Sequence, residues 1–418
     1  MAYSNKEVFT LSSISVIVTE CIFNLVSIFI DTFLIARILT FTGYNLYYLG
    51  LFYAITFFVM MVFAILLNYT LKYIKLNYYL SLGAIFIMAT VLVVYFLSET
   101  QLLEYMPLLA FCYGFGNAAF YVGHNNLSTY AVRSRYQIRF FSVKKSSVIL
   151  IKTIVPLVLG TSITTMGFNV VAIIMAVFTL FLLVFSLLIK PDRKYQIKFK
   201  YFSYIKKIIK DKQKYKLLWH NYISGFLYGC SITELTMLFT YFVIKSFDGS
   251  NLYLGLAKTA MMVLAFINTL IFLKFYRKRR AKFFTMLPLI IVPIAGVIMT
   301  LLMNSYTILI FYTLYNIFVV IIESLTDMRR AGIIRLLSMH DDVIEHNAVY
   351  YSTQCLSRTI FFVLIMLAGL FDSQVFLIVL LFVFFANFVL MCINTYYTEK
   401  LLIEQDKTWH IENKIENK

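Results

Sequence analysis

Twelve apolar stretches, each about as long as a membrane-spanning helix, follow one another along this chain of 418 residues. A bilayer core about 30 Å thick requires roughly 20 mainly apolar residues per helix. The stretches are too long and too continuous for the alternating strands of a membrane barrel. They lie at about 9–37, 44–68, 77–98, 105–128, 141–162, 168–189, 217–244, 251–274, 284–303, 307–327, 347–370 and 374–397. The sequence therefore predicts an all-α membrane protein with twelve transmembrane helices.

The composition excludes the main classes of soluble protein. The chain is 61% apolar and 14% charged, whereas soluble domains are about half apolar and a quarter charged. Its 5 cysteines lie in apolar stretches without zinc or redox spacing. No phosphate-binding loop, Ser-His-Asp set or metal cluster is recognisable in the sequence, so we expect neither enzymatic activity nor a cofactor or metal. The first ten residues lack a basic segment and a cleavage site, so we expect the first span to be retained.

Basic residues indicate which side of the membrane each loop faces. Lys and Arg concentrate in cytoplasmic loops. Here they follow the second, fourth, sixth, eighth and tenth spans, while the alternate loops carry only Lys245, apart from Arg37 at the end of the first span. This pattern predicts a multi-pass protein of the plasma membrane with both termini in the cytoplasm. The net charge of +17 is then a topology signal and an attraction to anionic headgroups, and we expect no nucleic-acid binding.

The central basic segment divides the chain into two halves. The predicted parts are an N-terminal six-helix bundle (1–189), a cytoplasmic linker (190–216), a C-terminal six-helix bundle (217–398) and a cytoplasmic, solvated tail (399–418). Within the linker, Phe202, Ile205 and Ile209 fall at helical spacing opposite lysines. This spacing is typical of an amphipathic helix in the cytoplasmic interface, and a disordered linker is the alternative.

The two halves repeat one another at a nearly constant offset. Residues 45–51 read NLYYLGL and residues 251–256 read NLYLGL, and Gly255 minus Gly50 gives 205. Near the same offset, 152–154 (KTI) corresponds to 358–360 (RTI), and Asp31 corresponds roughly to Glu234. Internal repeats of this kind are typical of secondary transporters.

On these features the chain resembles the major facilitator superfamily over about residues 9–397. The resemblance rests on the six-plus-six topology, the long basic central loop and the parallel halves. The glycine-rich and charged motif of that family, between the second and third spans, is reduced here to the segment 68–75 (NYTLKYIK). The resemblance implies two pseudo-symmetric six-helix bundles that open a midplane cavity alternately to each side. It also implies that the first helix of each half lines this cavity.

One polar stripe runs along the first span. Glu20, Asn24, Ser27 and Asp31 stand at i, i+4, i+7 and i+11, which returns to within about 20° of the same helical face. Because an ionisable group at membrane depth costs roughly 2.5–3.5 kcal/mol, such a stripe requires a reason. The resemblance predicts that it lines the cavity. The alternative is that it only hydrogen-bonds neighbouring helices.

Other polar residues at membrane depth complete the predicted substrate and proton pathway. Glu234 is the only acid of the seventh span, and an ion pair with Lys258 is its structural alternative. Lys152 and Arg358 are symmetry-related cations that we expect to be buried near the midplane. They are interpreted as a charge-pair switch, as receptors for an anionic group, or as structural salt bridges.

The fourth and tenth spans add further candidates. Asn117 belongs to a polar face of the fourth span, and His124 is expected near its cytoplasmic end, hydrogen-bonded or solvated. In the tenth span, Glu323 and Asp327 lie beside Arg329 at the predicted cytoplasmic mouth and form a possible gate.

These observations favour a secondary active transporter that works by alternating access. Coupling to protons is the predicted driving force, and efflux of an amphiphilic or drug-like compound is slightly favoured. The alternatives are a flippase for a lipid or lipid-linked sugar, an uptake permease for a small anionic solute, and a non-transporting membrane sensor. The predicted partners are a small-molecule or lipid-like substrate, protons and the lipid bilayer, and the predicted oligomeric state is a monomer.

Overall fold

The structure is a computed structural model that describes residues 10–130, 137–189, 199–275, 281–302, 304–337, 342–371 and 374–416. These residues are helical apart from turns and short connections, and none of them forms a strand. The predicted all-α class is therefore confirmed.

Long helices, named here α1 to α12, follow the predicted spans in order. The first six are Leu11–Phe41, Leu46–Thr70, Leu76–Phe96, Met106–Tyr130, Gln137–Met166 and Phe168–Leu188. α7 consists of Lys216–Tyr228, Gly229–Thr233 and Glu234–Ser246. The remaining helices are Asn251–Phe275, Ala281–Leu302, Ser305–Leu336, Val343–Leu370 and Gln374–Glu416. This arrangement is consistent with twelve spans. Within the described residues, 8 helices are long and apolar enough to cross a membrane by length and composition.

The helices leave apolar side chains on the outside of the protein, as a bilayer requires. α6 is the most apolar of the candidate spans, yet only 33% of its most apolar 18 residues are buried inside the protein. Its exposed apolar residues recur every three or four positions, at Ile173, Val177, Leu180 and Val184. One face of the helix is therefore apolar and uncovered by protein. A continuous exposed face of this kind is expected where lipid, rather than water, is the solvent.

Two short helices occur in the segments that connect the long ones. Glu99–Glu104 begins with a capping box in which the Ser98 backbone N–H donates to Gln101 Oε1 at 3.1 Å. Tyr201–Lys210, called here the linker helix, lies within the region where the sequence predicted an amphipathic helix. α12 continues as a helix to Glu416, into the region predicted as a cytoplasmic tail.

The chain separates into two compact units that differ from the predicted halves. The first unit contains the described parts of 1–199 together with Thr236–Val263 and the described part of 359–373. The second contains Lys200–Leu235 and the described parts of 264–358 and 374–418. The parts of α7, α8 and α11 nearest the predicted outer side thus belong with the first six helices.

Within the first unit, glycines of α4 allow it to pack closely on α2 and α3. A Cβ added at Gly116 would lie 2.9 Å from Ile87 Cγ1, and one at Gly83 would lie 2.8 Å from the Gly116 carbonyl oxygen. A Cβ at Gly114 would meet the backbone of Thr56. A side chain at any of these positions would collide with a neighbouring helix, so the glycines permit the close packing of α2, α3 and α4.

Four other glycines join α2 to α11 and α5 to α8 at their predicted outer ends. A Cβ at Gly50 would meet the backbone of Met366, and a Cβ at Gly369 would meet that of Tyr47. In the second pair, a Cβ at Gly160 would lie 2.6 Å from the Asn251 carbonyl oxygen, and one at Gly255 would meet the carbonyl of Pro156. We call Gly50, Gly160, Gly255 and Gly369 the gate glycines. They bring the backbones of these helices into direct contact.

Candidate functional site

The first helix of each half contains a short π-helical segment, at Asp31 in α1 and just before Glu234 in α7. In α1 the π-helical segment is Phe29–Leu34 and contains Asp31. In α7 it is Gly229–Thr233 and ends immediately before Glu234. Single π-helical turns inside α-helices are rare and occur frequently at functional sites. Their occurrence in both pseudo-equivalent helices directs attention to the two acids.

Asp31 lies in a polar cluster that we call the outer cluster, formed by Asp31, Thr32, Tyr53, Tyr113 and Lys258. The Tyr53 hydroxyl donates to the Asp31 carbonyl oxygen at 3.0 Å and lies 3.4 Å from the carboxylate Oδ1. The Tyr113 hydroxyl hydrogen-bonds the same carboxylate. Both tyrosines are buried.

Lys258 brings a cation from the second half of the chain to this cluster. Its Nζ donates to Thr32 Oγ1 at 2.7 Å, and it is close enough to Asp31 for direct electrostatic attraction. The sequence analysis considered Lys258 as a partner of Glu234. The structure shows a contact of Lys258 with α1, which is possible because α8 approaches α5 closely at Gly255. The side chain of Glu234 lies outside the described residues.

A second group, the inner cluster, lies nearer the predicted cytoplasmic side and consists of Glu20, His124, Ser128 and Lys144. Lys144 Nζ lies 3.4 Å from Glu20 Oε2 and 3.3 Å from Ser128 Oγ. His124 Nε2 lies 3.6 Å from the same carboxylate oxygen and 3.3 Å from Ser128 Oγ. Three helices, α1, α4 and α5, therefore converge on one carboxylate.

His124 is buried rather than solvated. Its ring is stacked on Phe120, with the centroids 5.4 Å apart and the planes 8° from parallel. The sequence-based interpretation was a hydrogen-bonded or solvated imidazole, and the structure shows the hydrogen-bonded form. The reason is that Glu20 and Ser128 provide polar partners for the imidazole, so the buried ring does not need water to satisfy its hydrogen bonds.

The two predicted asparagines bond within their own helices. Asn24 Nδ2 donates to the Glu20 carbonyl oxygen at 2.8 Å, and Asn117 Nδ2 donates to that of Tyr113 at 2.7 Å. Such bonds to the preceding turn satisfy the amide donors locally. Each amide retains a carbonyl oxygen that can accept a further hydrogen bond.

Lys152 differs from the expectation of a buried cation. It is exposed on α5, within electrostatic range of both Glu20 and Asp31. Its ammonium is therefore not covered by protein and lies near two carboxylates. Arg358, the counterpart on α11, is half-buried in the second unit.

The proposed gate at the end of α10 cannot be compared with the structure. The backbone of this helix extends to Leu336, but the side chains of Glu323, Asp327 and Arg329 lie outside the described residues. The gate therefore stays a prediction. A search of the described residues finds no group of three or more side chains that could hold a metal ion.

Comparison with known proteins places this arrangement in a family. The sequence model of the Major Facilitator Superfamily matches residues 13–328, which is more than half of the chain. The chain belongs to the Major Facilitator Superfamily. Comparison with curated protein sequences gives no match.

Solved structures share the superfamily fold at low sequence identity. A D-xylose-proton symporter is 12% identical, with a TM-score of 0.68 over 92% of this chain and 96% of that chain. A bacterial homologue of the iron transporter ferroportin, in an inward-facing state, is 13% identical, with a TM-score of 0.68 over 95% of this chain and 100% of that chain. A mutant of the nucleoside transporter NupG is 12% identical, with a TM-score of 0.64 over 93% and 100%. Family and fold together identify this superfamily member as a multi-pass membrane transporter.

The outer cluster contains residues that the sequence analysis of this transporter did not select. Tyr113 begins the polar face of the fourth span that contains Asn117, but Tyr53 is one of 31 tyrosines, and nothing in its spacing separates it from aromatic residues that face lipid. Lys144 was recognised only as a topology signal. Lys258 could have been chosen from the sequence, because a lone lysine in an apolar span requires a partner.

Proposed function

We propose that this protein is a proton-coupled secondary transporter of a small molecule and that Asp31 carries the proton. The observation that supports this function is the outer cluster, in which a carboxylate of the first half faces a cation of the second half. Protonation of Asp31 removes the charge that attracts Lys258. The proton therefore acts directly on a contact between α1 and α8.

The coupling follows from a difference in interaction energy between two conformations. When the predicted outer ends of α5 and α8 are together, ionised Asp31 attracts Lys258 and stabilises that conformation. When the ends separate, the attraction is lost. A ligand shifts a conformational equilibrium only if it interacts differently with the two states, and the proton at Asp31 meets this condition.

The inner cluster supplies a second acid toward the cytoplasm. Lys152 is exposed and interacts electrostatically with both Asp31 and Glu20, which supports a role for it between the two acids. For the direction of transport we favour efflux of an amphiphilic or drug-like compound, because the charges at membrane depth are few and the helices are mainly apolar. The transporter is proposed to act as a monomer in the cell membrane, with both termini in the cytoplasm.

The function is tested with purified protein in proteoliposomes, using ethidium as the drug-like probe and an imposed pH gradient. We expect the wild type to move ethidium in response to the gradient. Asp31→Asn should abolish the response to the gradient. Asp248→Asn, which changes an exposed acid in the turn before α8, is the matched control and should behave as the wild type.

If ethidium is not a substrate, the transport assay fails even when the mechanism is correct. A second measurement that needs no substrate therefore tests the role of Asp31 separately. Spin labels at Thr165→Cys and Tyr253→Cys, both at exposed positions, report the distance between α5 and α8. Lowering the pH should populate a longer distance in the wild type and leave Asp31→Asn unchanged. Equal pH responses in the two proteins would contradict the role of Asp31.

The exposure of Lys152 favours a second candidate function, the transport of an anionic solute or the movement of an anionic lipid headgroup. An accessible ammonium can bind a carboxylate or phosphate. Lys152→Gln should then abolish flipping of fluorescently labelled phosphatidylglycerol or uptake of an anionic solute, without changing the pH response of the spin-label distance. Full activity of Lys152→Gln with these probes would exclude this candidate.

A further inference from the structure

The linker helix is fastened to the second unit by one face only. Tyr204 and Ile208 are each 3% exposed and pack in an apolar cluster with Leu217, Leu218 and Val349. The Tyr204 hydroxyl lies 2.7 Å from the Tyr222 hydroxyl, which in turn lies 2.9 Å from Nδ1 of the buried His346. These contacts fix which side of the helix faces the protein.

Acidic residues at the start of α11 hold both ends of the linker helix. Glu345 Oε1 accepts the backbone N–H of Lys200 at 2.9 Å, which satisfies a free donor at the start of the helix. Lys207 Nζ donates to Asp342 Oδ2 at 2.7 Å. The linker helix is therefore docked in a defined orientation, and the predicted alternative of a disordered linker is wrong for Tyr201–Lys210.

A second apolar strip on the same helix has no cover in the described protein. Phe202 is 74% exposed and Ile209 is 49% exposed. They are seven residues apart, so they project within about 20° of one direction. By the same geometry this direction lies about 130° around the helix axis from that of Tyr204 and Ile208. We call Phe202 and Ile209 the free strip.

Lysines border the free strip and give it a single sign of charge. Lys206 projects about 40° from Phe202, and Lys210 about 80–100° from the strip. From 199 to 216 the sequence contains seven lysines and one acid, Asp211. Apolar side chains flanked by lysines are the pattern of a helix that lies in the interface of an anionic membrane.

We propose that the free strip inserts into the membrane interface and that Lys206 and Lys210 bind anionic lipid headgroups. The helix then has three faces with different surroundings. Tyr204 and Ile208 contact protein, Phe202 and Ile209 contact acyl chains, and Ser203 and Lys207 face water. Charge complementarity selects an anionic leaflet, since a neutral one offers the lysines no partner. This lipid site goes beyond the transport function and does not depend on the transported molecule.

The test measures depth in the membrane with single spin labels on the full-length protein, after the five native cysteines have been replaced. Labels at Phe202→Cys and Ile209→Cys are compared with a label at Ser203→Cys, an exposed position on the same helix, as the matched control. In nanodiscs of phosphatidylcholine and phosphatidylglycerol, we expect collisions with apolar oxygen to dominate at 202 and 209. Collisions with a water-soluble nickel complex should dominate at 203.

The lysines are tested by titrating phosphatidylglycerol into phosphatidylcholine nanodiscs while following the label at 202. Lys206→Gln and Lys210→Gln should each weaken the phosphatidylglycerol dependence by about fivefold. Lys212→Gln and Lys214→Gln, in the turn beyond the helix, should weaken it less. All substitutions are at exposed positions, so unchanged thermal unfolding serves as the folding control.

Three results would overturn the proposal. One is equal oxygen and nickel accessibility at 202 and 203. Another is insertion that does not depend on phosphatidylglycerol. The third is dipolar broadening between labels at 202 in two copies of the protein, because a second copy would then cover the free strip.

Discussion

The gate glycines provide the sharpest prediction, which concerns Gly160 and Gly255. A methyl group on Gly160 would lie 2.6 Å from the Asn251 carbonyl oxygen, and one on Gly255 would meet the carbonyl of Pro156. In both cases the obstacle is backbone, which cannot move aside as the end of a flexible side chain can. We therefore expect Gly160→Ala and Gly255→Ala to push the predicted outer ends of α5 and α8 apart.

The magnitude follows from the cost of overpacking. Inserting one methyl group into a close-packed contact costs about 1–3 kcal/mol. That energy shifts an equilibrium between joined and separated outer ends by about 5- to 150-fold toward separation. Because Gly160 and Gly255 contact the same place, the double variant should cost less than the sum of the single ones.

The assay is the distance between spin labels at Thr165→Cys and Tyr253→Cys, at a pH where the wild type shows one short distance. Each alanine variant should populate a longer distance. Gly123→Ala is the matched control, since its methyl group would meet Tyr79 Cβ at 3.0 Å within the packing of α3 and α4. It should lower the unfolding temperature without changing the labelled distance.

A specific result would refute this reasoning. If Gly160→Ala and Gly255→Ala kept the short distance and only lowered the unfolding temperature as Gly123→Ala does, the α5–α8 contact would be a permanent packing contact and not a gate. Gly50→Ala and Gly369→Ala repeat the test for α2 and α11.

Three further predictions concern the polar clusters. Glu20→Gln removes the carboxylate beside Lys144, whose side chain is 13% exposed, and should lower the free energy of unfolding by about 3 kcal/mol. The double variant Glu20→Gln/Lys144→Met should recover most of this loss of stability in thermal unfolding. Failure to recover would show that the ion pair is not the cause. Tyr222→Phe deletes the hydroxyl between Tyr204 and His346 and should cost about 1–3 kcal/mol, whereas the exposed Tyr253→Phe should cost nothing measurable. The hydrogen bond to Asp342 raises the pKa of Lys207, so its stabilisation is complete below the ordinary lysine pKa of about 10.4 and is lost as the pH rises through the higher folded value. Asp342→Asn should therefore remove this alkaline loss of stability, and an unchanged pH profile would contradict it.

The fold followed from the sequence because its signals are local. Hydropathy located the spans, and alternating basic loops ordered them. The repeat of NLYYLGL and NLYLGL had a structural meaning that the sequence alone did not reveal, since Gly50 and Gly255 are gate glycines in the pseudo-equivalent helices α2 and α8. A short sequence match between halves therefore corresponded to a packing position and not only to a helix start.

The candidate site was predicted only in part because its partners come from different helices. Periodicity placed Glu20 and Asp31 on one stripe, and the structure separates them into an inner and an outer cluster. Which cation each acid meets depends on the close approach of α8 to α5, which no spacing within one helix encodes. The contact of Lys258 with α1 was therefore not predicted, and Lys144 was not recognised as a partner of Glu20.

The π-helical segment of α1 has a consequence for insertions and deletions. An i→i+5 turn holds one residue more than the i→i+4 turns around it, so helical-wheel arithmetic at 100° per residue describes only Leu11–Ile28. Removing a single residue within Phe29–Leu34 would allow an unbroken α-helix without breaking the backbone ladder. The two ends of α1 would keep nearly the same relative orientation, but Asp31 and Thr32 inside the segment would change direction, and Thr32 would no longer meet Lys258. An in-frame deletion of one codon here would therefore leave a span of nearly the same length and hydrophobicity, and it would remove the hydrogen bond between Thr32 and Lys258.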